Sequence, residues 1–453
     1  MGMEDEEWVQ ARSASARRSP PTSARSGSAR IATRSGSAEP AESVARRLIG
    51  RALRTRGRWL FDPARRWRGG RRELSWSGAH EPRDGDWCVA EVPDDGPAHL
   101  VEVLGADDRP QWDDAAVASQ FRLRTRFPAR ALREAAACRE PGAAERHGRL
   151  DLRDQLVLTI DPEDARDHDD ALSVRATPAG RFEVGIHIAD VSHYVTPGSA
   201  LDAEAFERGT SVYFPDRAIP MLPERLSNDL CSLRPREEKR TVTAQLTLDS
   251  KGETLTAEFY RSVIHSKARL TYTDVAAFFQ GHEPPEEKVP AEVRPMLLVA
   301  RKAAFALRWM RKGRGSLDFD LPDADLVLGE TGDVVAIVKA VRNEAHRLIE
   351  EFMLAANEAV ARQLVFVPTP AMYRVHDRPD ERKLADIRAV LEPLGYEIPE
   401  DDEQVSPSLF QRILDQAEGR PEERFVSDLV LRAQKKALYA PECRGHYALA
   451  ADY

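Results

Sequence analysis

Apolar residues in the middle of the chain recur at two different spacings. Phe182, Val184, Ile186 and Ile188 alternate with other residues, as on a strand with one buried face. Val242–Leu248 and Leu255–Phe259 read as a pair of strands joined by a turn at Asp249-Ser250-Lys251-Gly252. Residues 296–312, 344–364, 408–418 and 426–438 carry apolar side chains at helical spacing. Ahead of this mixed region, residues 50–130 hold short apolar runs between turn signals: Arg58-Trp59-Leu60-Phe61, Glu73-Leu74-Ser75-Trp76, Trp87–Val92 and Leu100–Gly105, with a turn at Arg83-Asp84-Gly85-Asp86. Such spacing predicts a small all-β barrel. Residues 10–45 are Ser, Ala, Arg, Pro and Gly with almost no large apolar side chain, and are expected to be disordered.

The pattern therefore predicts an α+β protein: a disordered tail over 1–45, a barrel over 46–135, and a mixed α/β region over 145–453. Composition adds little against this. The 453 residues are 42% hydrophobic and 31% charged, a globular composition. No apolar run reaches the ~18–20 residues of a membrane span. Four scattered cysteines form no CxxC pair, which suits a reducing, cytoplasmic setting. Charge changes the picture more. The net is -9, yet residues 1–75 hold 17 arginines against 8 acidic residues, so a basic head precedes an acidic body. Trp59, Trp67, Trp76 and Trp87 among these arginines suit a nucleic-acid surface on an OB-type barrel, with core packing as the plainer role.

Candidate chemistry concentrates in Asp161-Pro162-Glu163-Asp164-Ala165-Arg166-Asp167-His168-Asp169-Asp170, six acidic residues in ten positions. Apolar runs lie on both sides, Leu156–Leu158 before and Ala171-Leu172-Ser173-Val174 after, so these carboxylates are not free to spread apart. Like charges held together repel unless cations neutralise them. Oxygen-rich sites suit Mg²⁺ or Mn²⁺, and several carboxylates can hold two ions for in-line attack on a phosphodiester. An EF-hand is excluded, because its sixth and twelfth positions would be Arg166 and Leu172. An exposed acidic loop is the simpler alternative. His187 and His193 lack further ligands at metal spacing, and Cys231 reads as a small buried residue.

The stretch from Asp151-Leu152-Arg153 through Thr159-Ile160-Asp161 to Asp167-His168-Asp169-Asp170-Ala171 resembles the start of the RNB catalytic domain of the ribonuclease II / ribonuclease R family. Further motifs agree in order: His187-Ile188-Ala189-Asp190-Val191-Ser192-His193-Tyr194-Val195, Ile219-Pro220-Met221-Leu222-Pro223, Leu226-Ser227-Asn228-Asp229-Leu230-Cys231-Ser232-Leu233, Leu348-Ile349-Glu350-Glu351 and Tyr373-Arg374-Val375-His376. More loosely, residues 50–130 resemble the cold-shock/OB domain that precedes RNB in this family.

The resemblance implies a 3′→5′ exoribonuclease that hydrolyses single-stranded RNA to 5′-nucleotides with Mg²⁺, Mn²⁺ being the alternative. It implies no DNA or membrane partner and a monomer. By the same resemblance Asp161, Asp167, Asp169 and Asp170 hold metal, with Asp169 the most critical for chemistry. Tyr213 stacks near the 3′-terminal base, and Glu350 contacts the terminal ribose, with Glu351 as the neighbour the pattern does not separate from it. Glu163 and Asp164 fall outside the matched set.

Two departures stand out. His168 occupies a position usually apolar or aromatic in the family, where an imidazolium would compete with metal and move the pH optimum. In the family a Ser-Pro-Ile-Arg-Arg-Tyr motif follows the stretch at Tyr447–Tyr453, then more helices and an S1 domain, and an arginine of that motif stabilises transition-state charge. The expectation is a C-terminally truncated exoribonuclease that is itself poorly active. The alternatives are an RNA-binding protein with a degenerate or incomplete RNB domain, and an unrelated metal-dependent phosphoesterase.

Overall fold

The computed structural model describes residues 46–453 apart from 65–69, 78–80, 107–116, 119–120, 143–146, 216, 320–323 and 331. The expected disordered tail over 1–45 and the ring of Trp67 lie outside the described residues.

Strands β1 (Arg46–Thr55), β2 (Arg58–Pro63), β3 (Arg72–Ser75), β4 (Trp87–Val92) and β5 (Ala98–Gly105) close into a barrel in the order β1-β2-β3-β5-β4. β3 runs parallel to β5 and the other pairs are antiparallel, which is an OB-like arrangement. The hydrophobic pattern missed β1, because four arginines break it up and its buried positions are small, Gly50 and Ala52. Gly50 is obligatory there: a Cβ would sit 2.2 Å from the Asp62 carbonyl oxygen. Phe61, Leu74, Cys88 and Val92 fill the interior. Trp59 and Trp76 pack edge to face against that core, and the Arg51 guanidinium covers Trp87.

Helix α1 (Ala129–Ala137) leads to a mixed sheet. The chain runs through β6 (Leu150–Asp151), β7 (Leu158–Asp161), β8 (Asp170–Ala176) and β9 (Phe182–Ala189). After α2 (Val191–Tyr194), α3 (Ala200–Arg208) and a small hairpin, β10 (Val212–Tyr213) with β11 (Ala218–Ile219), it returns as β12 (Glu238–Leu248), β13 (Thr254–His265) and β14 (Ala268–Thr271). The sheet order is β14-β7-β8-β9-β12-β13-β6. The turn at 249–252 joins β12 and β13 as the sequence predicts, and both strands extend beyond the runs read from it.

Helices α4 (Tyr272–Phe279), α5 (Arg294–Arg314) and α6 (Glu344–Val365) cover one face, packing Val275, Leu297, Leu307 and Phe352 on Leu158, Leu172, Ile186 and Leu246. Helices α1 to α3 cover part of the other, against Ala171, Ala189 and Ile264. The strand at 182–189 is therefore central and buried on both faces from Val184 to His187, whereas Ile188 is exposed. Each of the three covering helices starts or stops for a local reason. Thr271 caps α4, Pro295 opens α5 and a left-handed Gly315 ends it, and Asn343 forms a capping box with His346 on α6.

The hairpin β15 (Ala324–Leu328) and β16 (Val334–Lys339) lies between α5 and α6 in the chain. Then come β17 (Tyr373–Val375), α7 (Glu381–Leu391), α8 (Pro407–Ala417), α9 (Glu423–Ala433) and β18 (Leu438–Ala440), with a separate core around Leu391, Tyr396, Phe410 and Val426. The helix expected over 426–438 stops at Ala433. Beyond it the Lys435 carbonyl accepts from His376 Nε2 at 2.8 Å, and Leu438–Ala440 pairs with β17 instead.

Candidate active site

The strand ends bring the acidic stretch together. Asp161 is the last residue of β7 and Asp170 the first of β8, on neighbouring strands at one end of the sheet. The loop between them is tied down along its length. Arg269 Nη2 donates to the carbonyls of Pro162 and Glu163, Ser232 Oγ accepts from the His168 amide and donates to the Arg166 carbonyl, and the Asp169 carbonyl accepts from Ala189 N at 3.0 Å. Glu163 and Asp164 point to solvent on the outer part of this loop.

Electrostatics show that the four aspartates feel one another. Asp170 is pushed up to about 7 by desolvation and then by the charges of Asp161 and Asp169. Asp169 is pushed up to about 6 by desolvation, then by Asp167 and Asp161. Asp169 as a residue is exposed, but its carboxyl sits among protein atoms and like charges, and those govern its titration. Asp161 is 7% exposed and its Oδ2 is buried without a hydrogen-bond partner. A buried, unpartnered carboxylate oxygen among repelling carboxylates is the environment a divalent cation relieves, so the residues fit a metal site.

A tighter acidic group lies elsewhere. Among the described residues, the acidic oxygens that converge within 4.8 Å of one another belong to Glu140, Asp229 and Glu237. Lys239 reaches Glu237 at 2.9 Å and Glu140 at 3.4 Å, and Arg225 and Arg234 pair with Asp229. Three cations already neutralise that group, so it is an ion-pair knot.

Tyr213, on the β10–β11 hairpin, is 71% exposed, with its phenol in hydrogen-bonding reach of Asp167 and Ser211. Partial desolvation, then the Asp167 charge, raises its pKa. Glu350 and Glu351 part company on α6. Glu351 is buried and takes a two-nitrogen fork from Arg311 of α5, at 2.6 and 3.1 Å. Glu350 remains partly open and faces Arg342. The structure thus brings the four aspartates and Tyr213 together, places Glu350 on the same side through Tyr272, and turns Glu351 into the helix packing.

Tyr272 is the residue the sequence did not reveal. It opens α4 directly after β14, whose Thr271 lies opposite Asp161. Its phenol is pushed up to about 12 by desolvation, then by Asp170, Asp161 and Glu350, which places it between the aspartates and Glu350. Its ring stacks on His346 at 3.9 Å, and its carbonyl accepts from Asn343 Nδ2. The only available signal was a tyrosine just after a strand-ending threonine, which core tyrosines share. His187 is buried, bonded to Ser173 and Thr243, and depressed to about 4 by desolvation, so it is a neutral structural residue. Burial pushes the Cys231 thiol up to about 12, which makes it a poor nucleophile.

An OB-like barrel ahead of a mixed sheet, with an aspartate cluster at one end of that sheet, defines the architecture of the ribonuclease II / ribonuclease R class. The RNB domain model matches residues 149–453, more than half of the sequence, and the chain belongs to that family. It is 42% identical over 355 residues to ribonuclease R of Aquifex aeolicus, covering 78% of this chain and 50% of the relative. To ribonuclease R of Escherichia coli it is 38% identical, covering 78% and 43%. The solved structure of Mycoplasma genitalium RNase R in complex with ribose methylated single-stranded RNA superposes with a TM-score of 0.81 at 25% identity, over 90% of this chain and 65% of that one. The chain spans about half the length of the curated relatives it matches.

Proposed function

We propose that this chain carries the catalytic centre of a 3′→5′ exoribonuclease that hydrolyses single-stranded RNA to 5′-nucleotides in the cytoplasm, acting as a monomer on RNA rather than DNA. The observation that carries this reading is the aspartate cluster at the end of β7 and β8, in which Asp161 Oδ2 is buried without a hydrogen-bond partner. Asp161, Asp167, Asp169 and Asp170 would hold Mg²⁺ or Mn²⁺. Bound there, the ions would supply Lewis-acid stabilisation of the phosphodiester and a lowered pKa for the attacking water.

The protein's own groups do the rest. Tyr213 offers an exposed ring beside Asp167, on which the terminal base of any sequence can stack. Glu350 presents a carboxylate to the 2′-hydroxyl that distinguishes RNA from DNA. Asp169, partly open to solvent and surrounded by negative charge, is placed to orient the water. Tyr272 stacks on His346 within electrostatic reach of Asp161, Asp170 and Glu350, and would line the space between them. The complex of the Mycoplasma genitalium relative with single-stranded RNA supports the choice of substrate. Among the described residues no helix is long and apolar enough to cross a membrane.

The test is a 5′-labelled oligoribonucleotide incubated with the protein and Mg²⁺. A ladder that shortens from the 3′ end is expected, with Asp169→Asn abolishing cleavage while RNA binding persists. Cleavage by Asp169→Asn at the wild-type rate, or hydrolysis of phosphomonoesters with RNA left intact, would overturn the reading.

A further inference from the structure

His168 lies inside the aspartate cluster. It is 7% exposed, and its Nδ1 is 3.1 Å from Asp161 Oδ2. At that distance a hydrogen bond is the ordinary expectation, yet neither atom has a hydrogen-bond partner. The contact lies outside hydrogen-bond geometry, and it is an ion pair only if the ring is protonated. Thr159 Oγ1, two residues earlier on the same face of β7, is also buried without a partner. An unsatisfied buried nitrogen beside an unsatisfied buried carboxylate oxygen is costly unless a third body completes both.

A divalent cation is that body. Two ligands at right angles on an octahedral ion with bonds of about 2.1 Å lie about 3.0 Å apart, which matches the separation of these two atoms. The ring is also in electrostatic reach of Asp169 and Asp170, so it borders three of the four aspartates. Its backbone is fixed at both sides: the amide donates to Ser232 Oγ and the carbonyl accepts from Leu233 N at 2.8 Å. The imidazole is therefore presented to the site by a clamped main chain.

We propose that His168 Nδ1 is a nitrogen ligand of the divalent-metal site, and that it turns the site away from Mg²⁺ and toward Mn²⁺ and the later first-row ions. The proposal rests on the metal reading of the four aspartates given above. Imidazole is a softer donor than carboxylate, and Mg²⁺ favours all-oxygen shells, whereas Mn²⁺ accepts mixed ones. In that role the ring is neutral, with its proton on Nε2.

The test uses the full chain, stripped of metal and titrated with Mn²⁺ or Mg²⁺ alone. Electron spin-echo envelope modulation of bound Mn²⁺ should show a coupled histidine ¹⁴N, replaced by ¹⁵N in protein labelled at histidine. His168→Phe, which removes both ring nitrogens and keeps a planar ring, should abolish the coupling and lower the Mn²⁺-over-Mg²⁺ affinity ratio by about 10-fold or more in calorimetry. The coupling in wild-type protein needs no variant, so a folding defect in His168→Phe leaves the question answerable. Mn²⁺ that binds, is lost in Asp170→Asn and shows no histidine nitrogen would overturn the ligand assignment and leave the aspartate site standing. A wild-type chain that binds no Mn²⁺ would overturn both.

Discussion

Arg342 grips the carboxylate of Glu350 from one side, with Nε 3.0 Å from Oε1 and 3.1 Å from Oε2, while its Nη1 reaches Asp318 at 2.9 Å. A carboxylate accepts about four hydrogen bonds and Arg342 Nε and Nη2 fill three, so the fork orients Glu350 and still leaves about one acceptor position for a sugar hydroxyl. If Glu350 contacts the terminal ribose as proposed, Arg342 is a positioning residue for that contact. Lysine keeps the charge and loses the fork. For Arg342→Lys we expect the preference for an RNA ending in a ribose over one ending in a 2′-deoxyribose to fall by about 10-fold, the scale of one charge-assisted hydrogen bond. Fluorescence anisotropy with the two oligonucleotides measures it, and an unchanged ratio excludes the role.

Glu351 predicts the opposite kind of behaviour. Its pair with Arg311 is buried, and Arg311 also holds Ser316. Removing one partner leaves an uncompensated buried charge. Glu351→Ala should therefore lower stability by about 3–5 kcal/mol. Glu350→Ala, at a partly open pair, should cost about 1 kcal/mol or less. Urea unfolding of the two variants separates them, and equal losses would refute the contrast.

Adjacent glutamates in one motif illustrate what the sequence does and does not carry. The acidic cluster was legible because charge repulsion and flanking apolar runs are local facts, whereas the choice of Asp161, Asp167, Asp169 and Asp170 within it came from the family resemblance. Helical spacing is also a local signal: the helices expected over 296–312, 344–364 and 408–418 form, and the one expected over 426–438 stops at Ala433. Which glutamate stays partly open and which is buried depends on Arg342 and Arg311, which lie 8 and 40 residues away from their partners. Tyr272 was hidden because only the parallel pairing of β14 with β7 brings it beside Asp161. β1 was hidden because a barrel interior can be lined by Gly50 and Ala52, which carry no hydrophobic signal.

The raised aspartates make metal and pH interchangeable. Asp169 at about 6 and Asp170 at about 7 are both above their unfolded values near 4. Between those values the folded, metal-free protein binds more protons than the unfolded chain. The sites' contribution to stability is therefore full below about pH 4 and is lost as pH rises through about 6 to 7. A cation replaces the protons. The rise in melting temperature on adding Mn²⁺ should be small near pH 5 and reach a plateau near pH 8, and Asp170→Asn should remove most of it. Differential scanning fluorimetry across that range tests this; a metal-induced rise independent of pH would contradict it.

Tyr213 offers a test in which binding and folding separate cleanly. Its ring is 71% exposed, on a two-residue strand paired only with Ala218–Ile219, so few core contacts depend on it. Tyr213→Ala should leave the melting temperature nearly unchanged. If the ring stacks on the terminal base, its loss should weaken binding of single-stranded RNA by about 1–3 kcal/mol, largely independent of base identity because every base has a π-face. Tyr213→Phe keeps the ring and loses only the hydroxyl near Asp167 and Ser211. It should therefore bind RNA much as the wild type does. Equal losses for Ala and Phe would assign the interaction to the hydroxyl instead of the ring, and no loss for either would remove Tyr213 from the site.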